Sequence, residues 1–436
     1  MRLLRCLAVF LIGLAILFPA GQSVWAQSPK LDYYVDQSKL PFDALPGTHT
    51  SRYWGVHNGA GYRIEVPKHW NGELVLYAHG YRGTGLELTV SNPPFRKYLV
   101  THGFAWAASS YRANGYNVKA GVKDTHALGK LFNGKVHKPK RTYVTGESMG
   151  GHIVGVLIEQ YPNAYAGALP MCGVMGDYEL FDFFGSYNLI AQDLAGVKSQ
   201  FPANVDYQTK TVAKMQDALG FNTPTGLNEK GKKLRAATMY MSGGKRPLFN
   251  IGFRYWKNFL FTLYEPDPTL GVTPGNFISN NDTVYQLDSD PALSPTEKKL
   301  NQTVLRVDAD PQGRHPNGLS NIPPISGDID IPVLSMHTLG DLFVPFSMEE
   351  IYAQRVADHG KSNLLVTRAI RDIHHCGFTY KEQTTAFSDL VNWVENGVKP
   401  AGSNVLSPKA VADPTFGLQF TSQLRPYDPL RKSAAQ

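Results

Sequence analysis

The chain has 436 residues, a hydrophobic content of 42% and a formal net charge of +7. These values exclude a disordered or fibrous chain and are typical of a globular protein larger than one ordinary domain. The densest group of cations falls in a predicted helix, which favours a solvated helix face over a nucleic-acid surface: Lys230, Lys232, Lys233 and Arg235.

The first 26 residues have the pattern of an export signal. Arg2 and Arg5 precede an apolar run from Leu7 to Phe18, and Val24-Trp25-Ala26 supplies a small-residue cleavage site. The apolar run is too short to span a membrane, and no later stretch reaches the required length. We therefore predict an exported protein without a stable membrane anchor, located in the periplasm or outside the cell.

Cleavage of this signal would leave two cysteines. Cys6 departs with the signal, so that Cys172 and Cys376 remain. An even number of cysteines in an oxidising compartment favours one disulfide bond. The alternative is a pair of buried free thiols.

After the signal, strand and helix patterns alternate. Residues 53–66 and 73–79 have strand character, and the second stretch is almost entirely apolar, as expected for a strand buried on both faces. It ends in a glycine-rich loop that begins His79-Gly80-Tyr81. Open α/β sheets place their sites in loops at the carboxyl ends of such strands. The other elements predicted in this half are a helix over 95–101, a strand over 104–110, a helix over 120–132 and a strand over 166–171.

Residues 141–158 predict a strand, a sharp turn and a helix. Alternating β-branched and aromatic residues lead into Gly146-Glu147-Ser148-Met149-Gly150, and helical apolar spacing follows. A serine on such a turn projects its hydroxyl clear of the sheet, and the glycines let neighbouring backbone approach closely. The helix start adds unpaired N–H groups and partial positive charge beside that oxygen. Ser148 is therefore the candidate nucleophile.

The alternation stops between about residues 174 and 330. Proline-rich, glycine-rich and asparagine-rich loops separate three predicted helices there, over 211–219, 229–241 and 248–264. Alternation resumes with a strand over 331–337, a helix over 348–359, a strand over 364–370 and a helix over 381–395. The pattern predicts a mostly parallel α/β sheet flanked by helices, with a helical insertion late in the sheet.

A serine nucleophile requires a base and a group that orients the base. If the order is serine, acid, histidine, both lie after Ser148. Asp341 directly follows the strand over 331–337 and is the candidate acid, whereas Asp328 and Asp330 precede that strand and are expected at the opposite edge. The candidate base lies in the next such loop, as His374 or His375.

The oxyanion of the tetrahedral intermediate requires N–H donors. The backbone of Met149 would supply one, and the backbone of Tyr81 the other. We interpret His79 and His152 as packing residues.

These segments together resemble the α/β-hydrolase superfamily: His79-Gly80 after a strand, the turn at Ser148, Gly340-Asp341-Leu342-Phe343-Val344-Pro345, and His375. The resemblance covers roughly residues 47–173 and 331–397. It implies the α/β-hydrolase fold, a triad of Ser148, Asp341 and His375, and neither a metal nor an organic cofactor. It favours His375 over His374, because in the similar loops the base directly precedes a Cys-x-Phe segment. Capped secreted members are mostly carboxylic ester hydrolases, with some peptidases.

A bridge between Cys172 and Cys376 would pin the loop of His375. It is similar in purpose to the disulfide that joins triad loops in tannase and feruloyl-esterase relatives. In those proteins the cysteine directly precedes the nucleophile, whereas this chain has Glu147 at that position.

The predicted organisation is a signal peptide (1–26), a catalytic core in two parts (27–173 and 331–397), a helical cap (174–330) and a C-terminal tail (398–436). The expected function is an exported serine esterase that acts on a small-molecule or oligomeric ester. The alternatives are a serine peptidase of the prolyl-peptidase-like branch and a binding protein on an inactive scaffold. The cap is rich in aromatic residues that either form its own core or partly face the cleft: Phe249, Phe253, Tyr255, Trp256, Phe259, Phe261 and Tyr264.

Overall fold

A computed structural model describes residues 31–223, 226–264, 277–314 and 321–433. The predicted export signal, residues 1–26, lies outside these ranges. Within them, no helix is long and apolar enough to cross a membrane.

An eight-stranded sheet with the order β1-β2-β4-β3-β5-β6-β7-β8 organises the described part of the chain. β2 is antiparallel to both β1 and β4, and the remaining pairs are parallel. This topology is that of the α/β-hydrolase fold and confirms the predicted fold class. The strands are β1 (Thr50–His57), β2 (Ala60–Pro67), β3 (Glu73–Ala78), β4 (Ala105–Ser109), β5 (Arg141–Glu147), β6 (Gly167–Met171), β7 (Val333–Thr338) and β8 (Leu365–Ile370).

The strand pattern over residues 53–66 corresponds to two strands, not one. His57 pairs with Ala60, which leaves a two-residue loop. Asn58 and Gly59 both have positive φ, 52° and 81°, as a type I′ hairpin turn requires. The Asn-Gly pair was the sequence signal for this hairpin, and the single-strand interpretation overlooked it.

Helices cover both faces of the sheet. α1 and α11 pack on one face, where Phe387 and Leu390 meet Tyr143 and Leu169; α2, α3 and α10 pack on the other. The helices of the core are α1 (Arg96–Thr101), α2 (Val118–Lys135), α3 (Met149–Gln160), α10 (Ser347–Asp358) and α11 (Tyr380–Asn396). Two short helices follow in the tail, α12 (Pro408–Val411) and α13 (Pro429–Ser433).

A helical insertion separates β6 from β7. Its helices are α4 (Glu179–Ala195), α5 (Val212–Ala218), α6 (Glu229–Met241), α7 (Phe249–Trp256), α8 (Pro295–Thr303) and α9 (Pro311–Arg314). The predicted helix over 248–264 is α7 followed by a 3-10 turn over Phe259–Leu263. The buried side chains of the insertion form one continuous core with α2, α3 and α10.

Four loops leave the carboxyl ends of β3, β5, β7 and β8, which are parallel strands of one sheet. They carry Tyr81, Ser148, Asp341 and His375, respectively. Because parallel strands present their carboxyl ends at a common edge, the topology brings these four residues to the same edge.

Candidate active site

Ser148 lies between β5 and α3 with φ 59° and ψ −124°, a conformation that side-chain-bearing residues rarely adopt. Its amide donates to the carbonyl of Met171 at 3.0 Å, which ties the turn to β6. Its hydroxyl makes no capping hydrogen bond to α3. The turn thus holds Ser148 in a strained geometry without using its side chain to close the helix.

The glycines of this turn are required by contact distances. A Cβ on Gly146 would lie 2.3 Å from the carbonyl oxygen of Gly150, and a Cβ on Gly150 would lie 2.1 Å from that of Ala78. Both distances are far below van der Waals contact. β5, α3 and β3 can therefore approach this closely only with glycine at both positions.

Asp341 and His375 form a hydrogen bond of 2.6 Å between Oδ2 and Nδ1. The carboxylate is fully buried, and its Oδ1 accepts from the amides of Phe343 (2.8 Å) and Val344 (3.2 Å). These amides fix the orientation of the carboxylate, and the carboxylate fixes the imidazole. Among the described residues, Nε2 of His375 is buried and has no hydrogen-bond partner.

His374 has a different set of partners. Its Nδ1 lies 2.9 Å from Oδ1 of Asp372 and 3.3 Å from the hydroxyl of Tyr427, and nearly half of its side chain is exposed. The two adjacent imidazoles therefore bind different carboxylates. Only that of His375 contacts Asp341 and lines the cleft described next.

A cleft of about 630 Å³ contains both Ser148 and His375. Its other lining residues are Tyr77, Gly80, Tyr81, Arg82, Glu87, Thr89, Glu147, Phe343 and Cys376. A Cβ on Gly80 would lie 3.1 Å from Cβ and 3.6 Å from Oγ of Ser148, so the loop after β3 closely approaches the serine. Tyr81 thus lines the same cleft as Ser148, and Met149 follows Ser148 as the first residue of α3.

The role of Glu147 was not predicted. Its Oε2 accepts from the hydroxyl of Tyr77 at 3.1 Å and its Oε1 from the amide nitrogen of Gln383 at 3.5 Å. Burial raises the pKa of its carboxyl. Glu147 is a partly buried acid in the cleft wall, directly before the serine in the chain.

Cys172 and Cys376 form a disulfide bond with a Cα–Cα distance of 5.3 Å. It connects the end of β6 to the residue after His375. Among the described side chains, the grouping that could hold a metal is Cys172, Cys376 and His375. Because the bridge occupies both sulfurs, neither cysteine can offer a thiolate.

The C-terminal tail holds the loop of His375 in place. Arg425 donates to Asp372 at 2.6 Å, to Glu382 at 2.9 Å and to the carbonyl of Gly377 at 2.8 Å. Arg371, at the start of the loop, forms a buried bidentate ion pair with Asp428 at 2.7 and 2.9 Å. The sequence carries no pattern that would reveal these contacts, because the partners lie about 40 to 60 residues apart without periodic spacing.

Aromatic residues connect the insertion to these loops. Trp256 donates to the carbonyl of Ile373 at 2.7 Å, and the ring of Phe259 lies 5.1 Å from that of Phe343. Phe343 in turn lies 5.0 Å from the ring of His375. Of the seven aromatic residues singled out in the sequence, Phe249, Phe253, Trp256, Phe261 and Tyr264 are buried. None of the seven is among the cleft-lining residues.

His79 and His152 have structural contacts. The ring of His79 stacks on Tyr111 at 4.1 Å, and the hydroxyl of Tyr111 donates to the His79 carbonyl. His152 is fully buried between the hydroxyl of Tyr116 (3.1 Å) and the carbonyl of Pro323 (2.8 Å). His152 therefore links α3 to the end of the insertion.

No protein-family model matches the chain. Among curated proteins it is similar to an o-phthalyl amidase of Xanthobacter agilis, with 21% identity over 408 residues that cover 81% of this chain and 89% of the amidase. Among solved structures it is similar to feruloyl esterase B from Aspergillus oryzae, with 14% identity, coverage of 85% and 86%, and a TM-score of 0.46. It is also similar to tannin acyl hydrolase from Aspergillus niger, with 12% identity, coverage of 84% and 87%, and a TM-score of 0.46.

Proposed function

We propose that this chain with the α/β-hydrolase fold is an exported serine hydrolase that cleaves carboxylic esters through an acyl-enzyme on Ser148. The observation that carries the proposal is the hydrogen bond between Asp341 and His375, because His375 also lines the cleft that contains Ser148. An imidazole bonded to a buried carboxylate through Nδ1 presents Nε2 as the base. That atom lacks another partner among the described residues.

Each group has a chemical role in this proposal. His375 removes the proton of Ser148 as its hydroxyl attacks the ester carbonyl, and Asp341 stabilises the resulting imidazolium. The amides of Tyr81 and Met149 donate to the oxyanion. His375 then protonates the departing alcohol and activates the water that releases the acid.

Replacement of the nucleophile tests the proposal. Purified mature protein should hydrolyse 4-nitrophenyl esters and become labelled by a fluorophosphonate at Ser148, and Ser148→Ala should lose both properties. Ser388→Ala is the matched control, because Ser388 is exposed on α11 and is not among the residues that line the cleft. Unchanged hydrolysis by Ser148→Ala would contradict the assignment, whereas a wild type without hydrolysis or labelling would favour a binding protein.

Amide hydrolysis is the second candidate. The same groups can attack an amide, and the 21% identity to an amidase over most of both chains favours it. Rates on matched 4-nitrophenyl esters and 4-nitroanilides, including prolyl anilides for the peptidase alternative, distinguish the two. A higher kcat/KM on anilides, after correction for their uncatalysed reactivity, would make the chain an amidase or a peptidase.

Export is supported by the signal pattern of residues 1–26 and by a disulfide bond of the kind that persists in oxidising compartments. The mass of the protein recovered from the periplasm or medium should correspond to cleavage after Ala26. Full-length protein retained in the cytosol would contradict export.

A further inference from the structure

The cleft that contains Ser148 has one strong cation. Arg82 lies two residues after Gly80, in the loop that approaches the serine, and it is the only lysine or arginine among the described lining residues. Its guanidinium donates to the hydroxyls of Thr89 (3.4 Å) and Ser91. Both partners are neutral. Within the part of the chain that the structure describes, no carboxylate forms an ion pair with Arg82.

The two acids of the cleft are engaged elsewhere. Glu87 forms an ion pair with Lys39 at 2.6 Å. Both oxygens of Glu147 accept hydrogen bonds, from Tyr77 and Gln383, and burial raises the pKa of its carboxyl. Arg82 therefore retains an uncompensated positive charge in the cleft.

The charge of Arg82 also acts on the groups below the cleft. Burial lowers the pKa of His79 to about 4, and the positive charge of Arg82 is the second largest cause of this decrease. A guanidinium has five N–H donors in a planar fork, and two of the contacts are to hydroxyl oxygens. The remaining donors suit a planar anion, which an arginine binds in bidentate fashion.

We propose that Arg82 binds a carboxylate of the substrate, so that the cleft selects esters with an anionic acyl or alcohol part. The inference rests on the proposed hydrolysis at Ser148 and adds a substrate class to it. Phe343 lines the same cleft with its ring 5.0 Å from that of His375, and this ring provides an apolar contact for the uncharged part of the same substrate.

Two matched ester pairs test the inference. The first compares 4-nitrophenyl 4-carboxybenzoate with 4-nitrophenyl 4-carbamoylbenzoate, and the second compares 4-carboxyphenyl benzoate with 4-carbamoylphenyl benzoate. The members of each pair have nearly the same size and differ in charge. In at least one pair, kcat/KM should favour the carboxylate by about tenfold or more, the range of a charged hydrogen bond.

The preference should depend on Arg82. Arg82→Gln should reduce the carboxylate-to-carbamoyl ratio to near unity, and Arg82→Lys should retain part of it because lysine keeps the charge without the fork. Lys123→Gln, which removes an exposed cation of α2, is the control and should retain the whole ratio. Because Arg82 is exposed and its hydrogen-bond partners among the described residues are neutral, circular dichroism and Tm should show folded variants.

Three results would overturn the inference. If wild type hydrolyses the carbamoyl esters through Ser148 without preferring either carboxylate, the substrate class is wrong and the proposed function remains. If the preference persists in Arg82→Gln, the residue is wrong. If no ester is hydrolysed and Ser148 is not labelled, both the proposed function and the inference fail.

Discussion

The environment of Asp341 is the residue-scale feature on which the proposed chemistry depends. One of its oxygens binds His375 and the other accepts two backbone amides. An asparagine in the same place could keep the packing, but its NH₂ group would face either the imidazole or those amides. As a result, His375 would adopt the wrong tautomer, or its ring would be displaced.

Asp341→Asn should therefore lower kcat on 4-nitrophenyl esters by about 10⁴-fold, as for the corresponding acid of other serine triads. The measurement is kcat together with Tm, which separates a chemical defect from unfolding. Asp358→Asn, at an exposed acid of α10, is the comparison and should leave kcat near the wild-type value. Activity of Asp341→Asn close to wild type would show that the acid has been misassigned.

A buried acid next to the β7 strand predicts how stability changes with pH. Glu349 is fully buried and accepts from the hydroxyl of Ser335 at 2.7 Å. Burial raises its pKa to about 8. Between the ordinary value near 4.3 and that raised value, the unfolded chain releases the proton and the folded chain keeps it. The free energy of unfolding should therefore decrease as pH rises through this interval.

Glu349→Gln removes this titration. The Tm of Glu349→Gln minus the Tm of wild type should increase from pH 5 to pH 9 and then level off. Calorimetry across that range measures this difference. Asp43→Asn changes an exposed acid, and its Tm should vary with pH in the same way as the Tm of wild type. Parallel curves for Glu349→Gln as well would show that Glu349 is not held protonated.

Individual residues differed in how well the sequence predicted them. Ser148 and Asp341 follow strand ends, so a strand pattern and a residue type were enough to nominate them. The same pattern left His374 and His375 open as the base, and the family resemblance was needed to favour His375. Arg82 and Arg425 could not be nominated in this way. Their significance depends on which side chains of distant segments surround them, and a linear pattern does not carry that information.

At the scale of elements, α6 has the predicted bounds, Glu229–Met241, whereas α4 was not predicted. In α4 the residues from Leu180 to Gln192 are buried on every side of the helix. A helix buried all round has no apolar stripe to detect. Gly185, in its middle, further weakens the helical signal because it has low helix propensity.

From the sequence, no role was assigned to the C-terminal tail, yet this element supports the loop of His375. Arg425 is about 9% exposed and neutralises Asp372 and Glu382, which are both buried. Burial opposes ionisation of Asp372, but hydrogen bonds from the His374 amide, Tyr427 and Arg425 lower its pKa below the ordinary value. Asp372 is thus charged and depends on the arginine.

Arg425→Met should destabilise the protein by about 3–5 kcal/mol, because it leaves buried carboxylates unpaired. It should also lower kcat/KM on esters, since Gly377 and the loop of His375 lose their support. Urea unfolding and steady-state kinetics measure the two effects. Arg431→Ala, at an exposed cation of the same tail, should change neither. A variant as stable and active as wild type would show that the tail does not support the loop.

At the scale of the whole molecule, the Cys172–Cys376 bond joins two parts of the sheet edge that are 204 residues apart in the chain. The loop it closes contains the whole insertion between β6 and β7. Such a bond restricts the unfolded chain and typically contributes about 2–4 kcal/mol to stability. It also anchors the residue beside His375.

The double substitution Cys172→Ala, Cys376→Ala should lower Tm and kcat on esters, and dithiothreitol should lower Tm of the wild type only. Differential scanning calorimetry with and without reductant, paired with ester kinetics, makes the comparison. If reductant changes neither the Tm nor the rate of the wild type, the bond is absent or contributes nothing to stability and activity. The cysteine count favoured this pairing over two free thiols, and the sequence shows Cys376 directly after His375. The fold was required to show that the two cysteines lie within bonding distance.

The contact between Arg425 and the loop of His375 has a consequence for comparative genomics. A gene truncated by a stop codon before position 425 would still encode Ser148, Asp341 and His375 and would pass any survey that counts those three motifs. Its product would lack the cation that neutralises Asp372 and Glu382. Surveys that count functional genes should therefore require an intact C-terminal coding region as well as the three motifs.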